Sequence, residues 1–276
     1  MSPSNSIAVF ATTMLAASAQ AYIGVVDSLP ITSGYGVNTG ETATFATGYS
    51  ISETGNDNLL VVFYSAYTDS TSADPAASSV TFGGVTLTQA RQVALEQPGA
   101  GYNVTGIFYL TEDDFASVSG SDLVFSRSSG SNPGDDGAHY SIMLLSGVDQ
   151  SAPIGQSDYS TTTTNNTALS VELSSLEPNS VVLSSFSATP DGTFGSDVNL
   201  DSNLAGALSD GSLTSLFALT NVDESTETMG ATFSSSESSG RSAMLSVEVL
   251  AAVPEPETYA LMLGLASLGL LLMRRR

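Results

Sequence analysis

Asn58-Leu59-Leu60-Val61-Val62-Phe63-Tyr64-Ser65-Ala66 contains an unbroken apolar run from Leu59 to Tyr64, enriched in β-branched and aromatic residues. Such residues favour the extended backbone, and a short run that is apolar throughout predicts a strand covered on both faces. Downstream, Val80-Thr81-Phe82 and Val85-Thr86-Leu87 alternate apolar and polar around Gly83-Gly84. Two glycines supply the positive φ angles of a primed turn, so this stretch predicts a tight hairpin.

Further strands are expected at Thr42 to Tyr49, Tyr102 to Leu110, Leu123 to Ser126 and His139 to Leu145. The second half adds Leu169 to Leu173, Ser180 to Phe186, Leu213 to Leu219, Met229 to Phe233 and Ala243 to Leu250. In the last, Ala243, Leu245, Val247 and Val249 fall on one face, with Ser246 and Glu248 opposite. Turn-rich segments such as Ser128 to Gly137 and Thr189 to Gly195 separate these strands, and no long 3.6-residue period interrupts them. The expected fold class is all-β, a single antiparallel β-sandwich of jelly-roll type.

An internal echo accompanies the pattern. Asn58 to Ala66 resembles Asn179 to Ala188. Phe125-Ser126, a Ser-Gly loop and Ser141 to Leu145 resemble Phe233-Ser234, a second Ser-Gly loop and Ser242 to Ser246. Two similar halves would produce this, and so would shared strand composition; the unequal spacings favour one sandwich. Val80 to Leu87, Ile107 to Leu110 and Ser146-Gly-Val-Asp-Gln-Ser-Ala-Pro-Ile-Gly155 together are similar to a β-sandwich module widespread in secreted bacterial proteins. That resemblance implies the fold over residues 40 to 250 and carries no catalytic residue.

Charge excludes one class of partner. The chain holds 28 acidic residues against 6 basic ones, giving a net charge of −22. All the basic residues are arginines, and Arg91, Arg127 and Arg241 are the only ones upstream of Arg274. No basic patch for a phosphate backbone can be assembled, so nucleic acid is not a partner. Cysteine is absent, which removes disulfides, thiol nucleophiles and thiolate metal sites.

Other chemistry has few candidates. Serine-hydrolase catalysis needs a base beside the nucleophile; the chain has one histidine, His139, and no Gly-x-Ser-x-Gly elbow. His139 follows Asp135-Asp136-Gly137 at a loop-to-strand junction. Calcium suits an acidic exported protein, and Asp197, Asn199 and Asp201 place oxygens at alternate positions. They lack the glycine and closing glutamate of an EF-hand loop, and Asp and Asn are also turn residues. Glycoside hydrolysis needs a carboxylate pair, and among 28 acidic residues the sequence nominates none. Tryptophan is absent, leaving Tyr64, Tyr67 and Tyr102 as possible sugar platforms. No cofactor is expected, and the body reads as a non-enzymatic module.

The two ends are more specific. Ile7 to Ala19 is a short apolar run followed by Ala19-Gln20-Ala21, the small-x-small pattern of a signal-peptidase site, so residues 1–21 read as a signal helix cleaved after Ala21. At the other end Val253-Pro254-Glu255-Pro256 precedes an uncharged apolar stretch, Thr258 to Met273, and then Arg274, Arg275 and Arg276. The prolines force an extended segment. The apolar stretch falls short of the usual ~20 residues, and snorkelling arginines extend its reach as a transmembrane helix. The positive-inside rule keeps the arginines cytoplasmic and puts the body outside.

This tail resembles the PEP-CTERM sorting signal of Gram-negative, exopolysaccharide-producing bacteria. The resemblance covers residues 253 to 276 and implies recognition by a membrane-embedded exosortase that cuts near Pro-Glu-Pro. The domain expectation is therefore a signal peptide at 1–21, an exported sandwich at 22–252 and a sorting tail at 253–276. The protein would cross the inner membrane, be anchored there transiently and reach the cell surface or extracellular matrix. The expected partners are signal peptidase, exosortase and an exopolysaccharide or other glycan. The alternative for the body is a secreted hydrolase or lyase acting on carbohydrate.

Overall fold

The computed structural model describes residues 22–34, 37–39, 42–68, 76–97, 101–126, 138–164, 168–189, 193–194, 206–209, 213–222, 225–234 and 240–253. These belong to one compact unit, Ala21–Val253. The signal segment, Pro254 to Arg276 and the candidates Ala19, Ala21, Asp135, Asp136, Asp197, Asn199 and Asp201 lie outside the described residues.

The described chain is mostly strand. The first part comprises β1 (Gly24–Gly34), β2 (Val37–Thr39), β3 (Thr42–Ala46), β4 (Leu59–Thr68), β5 (Ser79–Phe82), β6 (Val85–Thr86), β7 (Thr88–Gln97), β8 (Gly101–Thr111), a 3-10 turn (Glu112–Ser117), β9 (Asp122–Ser126) and β10 (Ala138–Ser146). The second comprises β11 (Ile154–Thr162), β12 (Ala168–Ser174), β13 (Val181–Thr189), β14 (Thr193–Phe194), β15 (Gly206–Ser209), β16 (Thr214–Asn221), β17 (Thr226–Ser234) and β18 (Arg241–Val249).

These strands build four antiparallel sheets. An inner sheet of order β1-β10-β4-β8-β7 faces an outer sheet β2-β3-β9-β5-β6. A second inner sheet β11-β18-β13-β16-β15 faces an outer sheet β12-β17-β14. Replacing β1, β3, β4, β5, β7, β8, β9 and β10 by β11 through β18 in order maps the first pair onto the second. In the first pair, the strand that follows the Gly83-Gly84 turn starts in the outer sheet as β6 and continues in the inner sheet as β7, a jelly-roll winding.

The single expected sandwich is thus two, packed inner sheet to inner sheet. Three apolar cores separate the four layers. Leu60, Val62 and Tyr64 of β4 face the first outer sheet with Phe45, Phe82 and Phe125. The alternate residues Leu59, Val61 and Phe63 face Val181, Leu183, Phe217 and Leu245 of the second inner sheet. Val182 and Phe186 pack with Val171, Met229 and Phe233 of the second outer sheet. Phe63 stacks on Phe217 across the middle, with ring centroids 5.2 Å apart.

Burial follows from this layering. β4, β13 and β18 are buried at every position, as a strand between two layers must be, whereas outer strand β12 alternates exposed and buried. The echo of Asn58 to Ala66 in Asn179 to Ala188 is the equivalence of β4 with β13. Leu59 pairs with Leu145 as Val181 pairs with Val249, so β10 matches β18 with Ser141 opposite Leu245 in the alignment. Ser141 and Ser242, matched in the sequence echo, are therefore three positions out of register. The spacings differ because the first sandwich carries β2, β6 and the 3-10 turn, which have no equivalents among the described residues of the second.

Candidate functional site

Two regions concentrate polar structure: the seam between the sandwiches and the pole where the described body begins and ends.

In the seam, polar side chains replace apolar ones toward one end of the inner sheets. Asn103 of β8 donates through Nδ2 to the carbonyls of Ser187 (3.0 Å) and Arg241 (2.9 Å), and accepts the Ser187 hydroxyl at 2.5 Å. Thr105 bonds the hydroxyls of Ser65, at 3.1 Å, and of Ser185. Arg241 is buried and donates from Nε to Thr189 Oγ1 at 3.0 Å. His139 is fully buried here, its Nδ1 2.9 Å from Ser215 Oγ. The sequence placed His139 at a junction beside Asp135 and Asp136; the structure turns it into the seam, because β10 is an inner strand with both faces covered. The network ties β8 and β10 of one sandwich to β13, β16 and β18 of the other, so each buried donor or acceptor fixes register.

The sugar-platform candidates are largely spent on packing. Tyr64 stacks on Phe125 at 4.0 Å in the first core, and Tyr67 is buried. The exposed aromatic surface lies elsewhere: Tyr159 of β11 is 45% exposed and carries the Arg91 guanidinium 4.9 Å from its ring centre. Arg91 belongs to β7, so this cation–π contact crosses the outer edge of the seam. A surface cleft of about 430 Å³ beside the 3-10 turn is lined by Gly48, Ser50, Ile51, Phe115, Val118 and Ser121, among others, and offers hydroxyls and apolar carbon. No group of three or more His, Cys, Asp or Glu able to hold a metal occurs among the described residues.

At the pole, two carboxylates, the half-buried Glu112 and the buried Glu248, organise the loops that enter the central strands. Glu112 accepts the amides of Gly55 and of Asn58 (2.8 Å) ahead of β4. Glu248 accepts those of Gln156 (3.1 Å) and Glu177 (2.7 Å), and the Ser180 hydroxyl at 3.0 Å, ahead of β13. Glu248 was expected on the polar face of its strand. It is on that face but only 1% exposed, because β11 and the turn between β12 and β13 close over it.

The connector between the sandwiches, Gly147 to Pro153, gathers the chain here. Gly147 and Val148 donate to Asn56 and Asp57 carbonyls, each at 2.9 Å. Asp149 donates its amide to the Leu250 carbonyl (2.9 Å), Leu250 to Pro153 (2.9 Å) and Ala252 to Gly147 (2.8 Å), with Val148 bridging Ala251. The start of the body meets the same connector. Gly147 sits at φ +72°, and a Cβ there would lie 2.6 Å from the Tyr22 carbonyl oxygen. Ile23 is buried in the middle core beside Val148, while the Tyr22 hydroxyl donates to Asn221 Oδ1 at 3.1 Å. Val253, one residue past the last pairing, is 77% exposed. Sequence reading noted the run Ser146 to Gly155 only as a resemblance, since nothing local reveals that both ends of the body return to it.

Of the expected sorting residues, Val253 alone is described. No helix among the described residues is long and apolar enough to cross a membrane, and the stretch Thr258 to Met273 lies outside them. A model of the PEP-CTERM protein-sorting motif matches residues 252–276. The chain therefore carries this motif, which begins at the last of the described residues to hydrogen-bond into the body, Ala252. No curated protein and no solved structure matches the chain.

Proposed function

We propose that this chain is an exported envelope or matrix protein whose tail is cut by an exosortase, and whose double sandwich serves as a non-enzymatic binding or structural module in a glycan-rich matrix. The PEP-CTERM match at residues 252–276 carries the sorting part, implying export, transient membrane anchoring and exosortase as the processing partner. In the cut, the acyl carbon upstream passes to water or to an acceptor hydroxyl or amine, and the apolar tail leaves with a new amino terminus.

Two observations support a module that binds rather than turns over. The chain's one histidine is sealed inside the seam, out of reach of any substrate. Among the described residues, the outward strand faces of the outer sheets carry few charges, Asp122 on one and Glu172 on the other, despite the net charge of −22. Thr44, Val124, Thr81 and Thr86 form one cross-strand row, and Thr42, Ser126 and Ser79 the next. Ser170, Ser174 and Thr226 continue this character on the other outer sheet, with Glu172 beside them. Flat rows of hydroxyls and methyls fit an uncharged, hydroxyl-rich polymer better than a charged one.

A glycan array probed with the body, residues 22–252, tests this reading. Retention on neutral polysaccharide without turnover is expected; released oligosaccharide would make the body a hydrolase or lyase instead.

A further inference from the structure

Residues 250 to 252, which lead into the sorting motif, are tied into the fold. Leu250 uses its amide on Pro153 and its carbonyl on Asp149, and Ala252 uses its amide on Gly147. A peptidase that takes its substrate as an extended strand needs main-chain groups on that strand. Pro254 and Pro256 have no N–H to give, so the demand shifts upstream, onto the residues the connector already holds. Only Val253 stands between the clamp and Pro254.

We propose that the pairing of Leu250–Ala252 with Gly147–Pro153 is a gate on tail processing: the sorting peptidase takes only chains in which this terminal clamp has opened. The inference rests on the tail being an exosortase substrate. Pairing at a chain end opens more readily than the core, and cleavage of an opened state follows its population. The clamp thereby couples processing to folding. Its opposite strand is the connector, which also bonds Asn56 and Asp57 of the first sandwich and lies against Tyr22 and Ile23, so the clamp sets the rate at which a folded body is released.

Val148 and Ala251 allow the gate to be locked. Asp149 N donates to Leu250 O and Ala252 N to Gly147 O, so residues 148 and 251 are a non-hydrogen-bonded antiparallel pair. Such pairs hold their Cα atoms about 4.5 Å apart, within disulfide range. The chain has no cysteine to compete. The full-length chain carrying Val148→Cys and Ala251→Cys would be placed in membranes containing the sorting peptidase, oxidised and reduced. Oxidation is expected to slow tail release at least about tenfold, and reduction to restore it. A second variant with Gly-Ser-Gly inserted between Ala252 and Val253, which leaves the body untouched, should be cut faster than wild type. Equal rates in oxidised and reduced forms, or an insertion without effect, would overturn the gate. Wild-type chain left uncut in the same membranes would instead overturn the sorting premise beneath it.

Discussion

The hydroxyl of Tyr49 lies in the first core with no hydrogen-bond partner among the described residues. Burial, and secondarily the charge of Asp27, push its ionisation well above the usual phenol range, so it stays protonated and still lacks an acceptor. Tyr49→Phe should therefore stabilise the body by about 1 kcal/mol, seen as a higher denaturation midpoint at unchanged slope. Asn103 is the opposite case. Its three bonds join Ser187 and Arg241, and Asn103→Leu would keep volume while stranding a buried hydroxyl and two carbonyls. A loss of about 2–3 kcal/mol in denaturant unfolding is expected. Gly147→Ala must accommodate both a positive φ and a clash with the Tyr22 carbonyl. It should cost about 1–2 kcal/mol from the backbone conformation alone, measured the same way.

Among the elements, the connector carries its own clip. Asp149 accepts the amides of Ser151 (2.8 Å) and Ala152 (3.1 Å) and the Ser151 hydroxyl at 2.7 Å. The Ser151 hydroxyl first, and these amides after it, hold the carboxyl below its ordinary range. A depressed folded value means the clip is complete above the unfolded pKa and is lost as pH falls through the folded one. Amide exchange at Ser151 and Ala152, corrected for intrinsic rates, should accelerate on acidification in wild type and be fast at all pH in Asp149→Ala. The strands differ in how openly the sequence declares them. Strands covered on both faces, such as β4, announce themselves by unbroken apolar runs. The inner-sheet edges β1, β7 and β11 do not. Asp27 and Pro30 interrupt β1 near two register shifts, β7 reads TQARQVALEQ, and β11 reads IGQSDYSTT. An edge strand is partly open, so its composition drifts toward that of a loop.

For the molecule as a whole, the sequence foretold a strand buried on both faces but not what would cover it. Leu59, Val61 and Phe63 are as apolar as a core requires, and only the topology reveals that a second sandwich provides the covering layer. The polar members of the inner strands, Ser185, Ser187 and Glu248, obscured this further, because a buried serine reads locally as an exposed one. The consequence is mutual dependence. Residues 22–148 alone would expose the apolar face around Phe63 and Ile107, and should sediment as dimers or larger species; a well-folded monomer would contradict the layered account. The tail follows different rules, since its meaning lies in order along the chain: Pro-Glu-Pro, an apolar stretch and three arginines were legible without any fold. The direct test of the central claim is the intact mass of the protein recovered from the surface of its native cells. The account predicts a chain beginning at Tyr22 and ending near Pro256. A full-length chain that still carries Thr258 to Arg276 would contradict it.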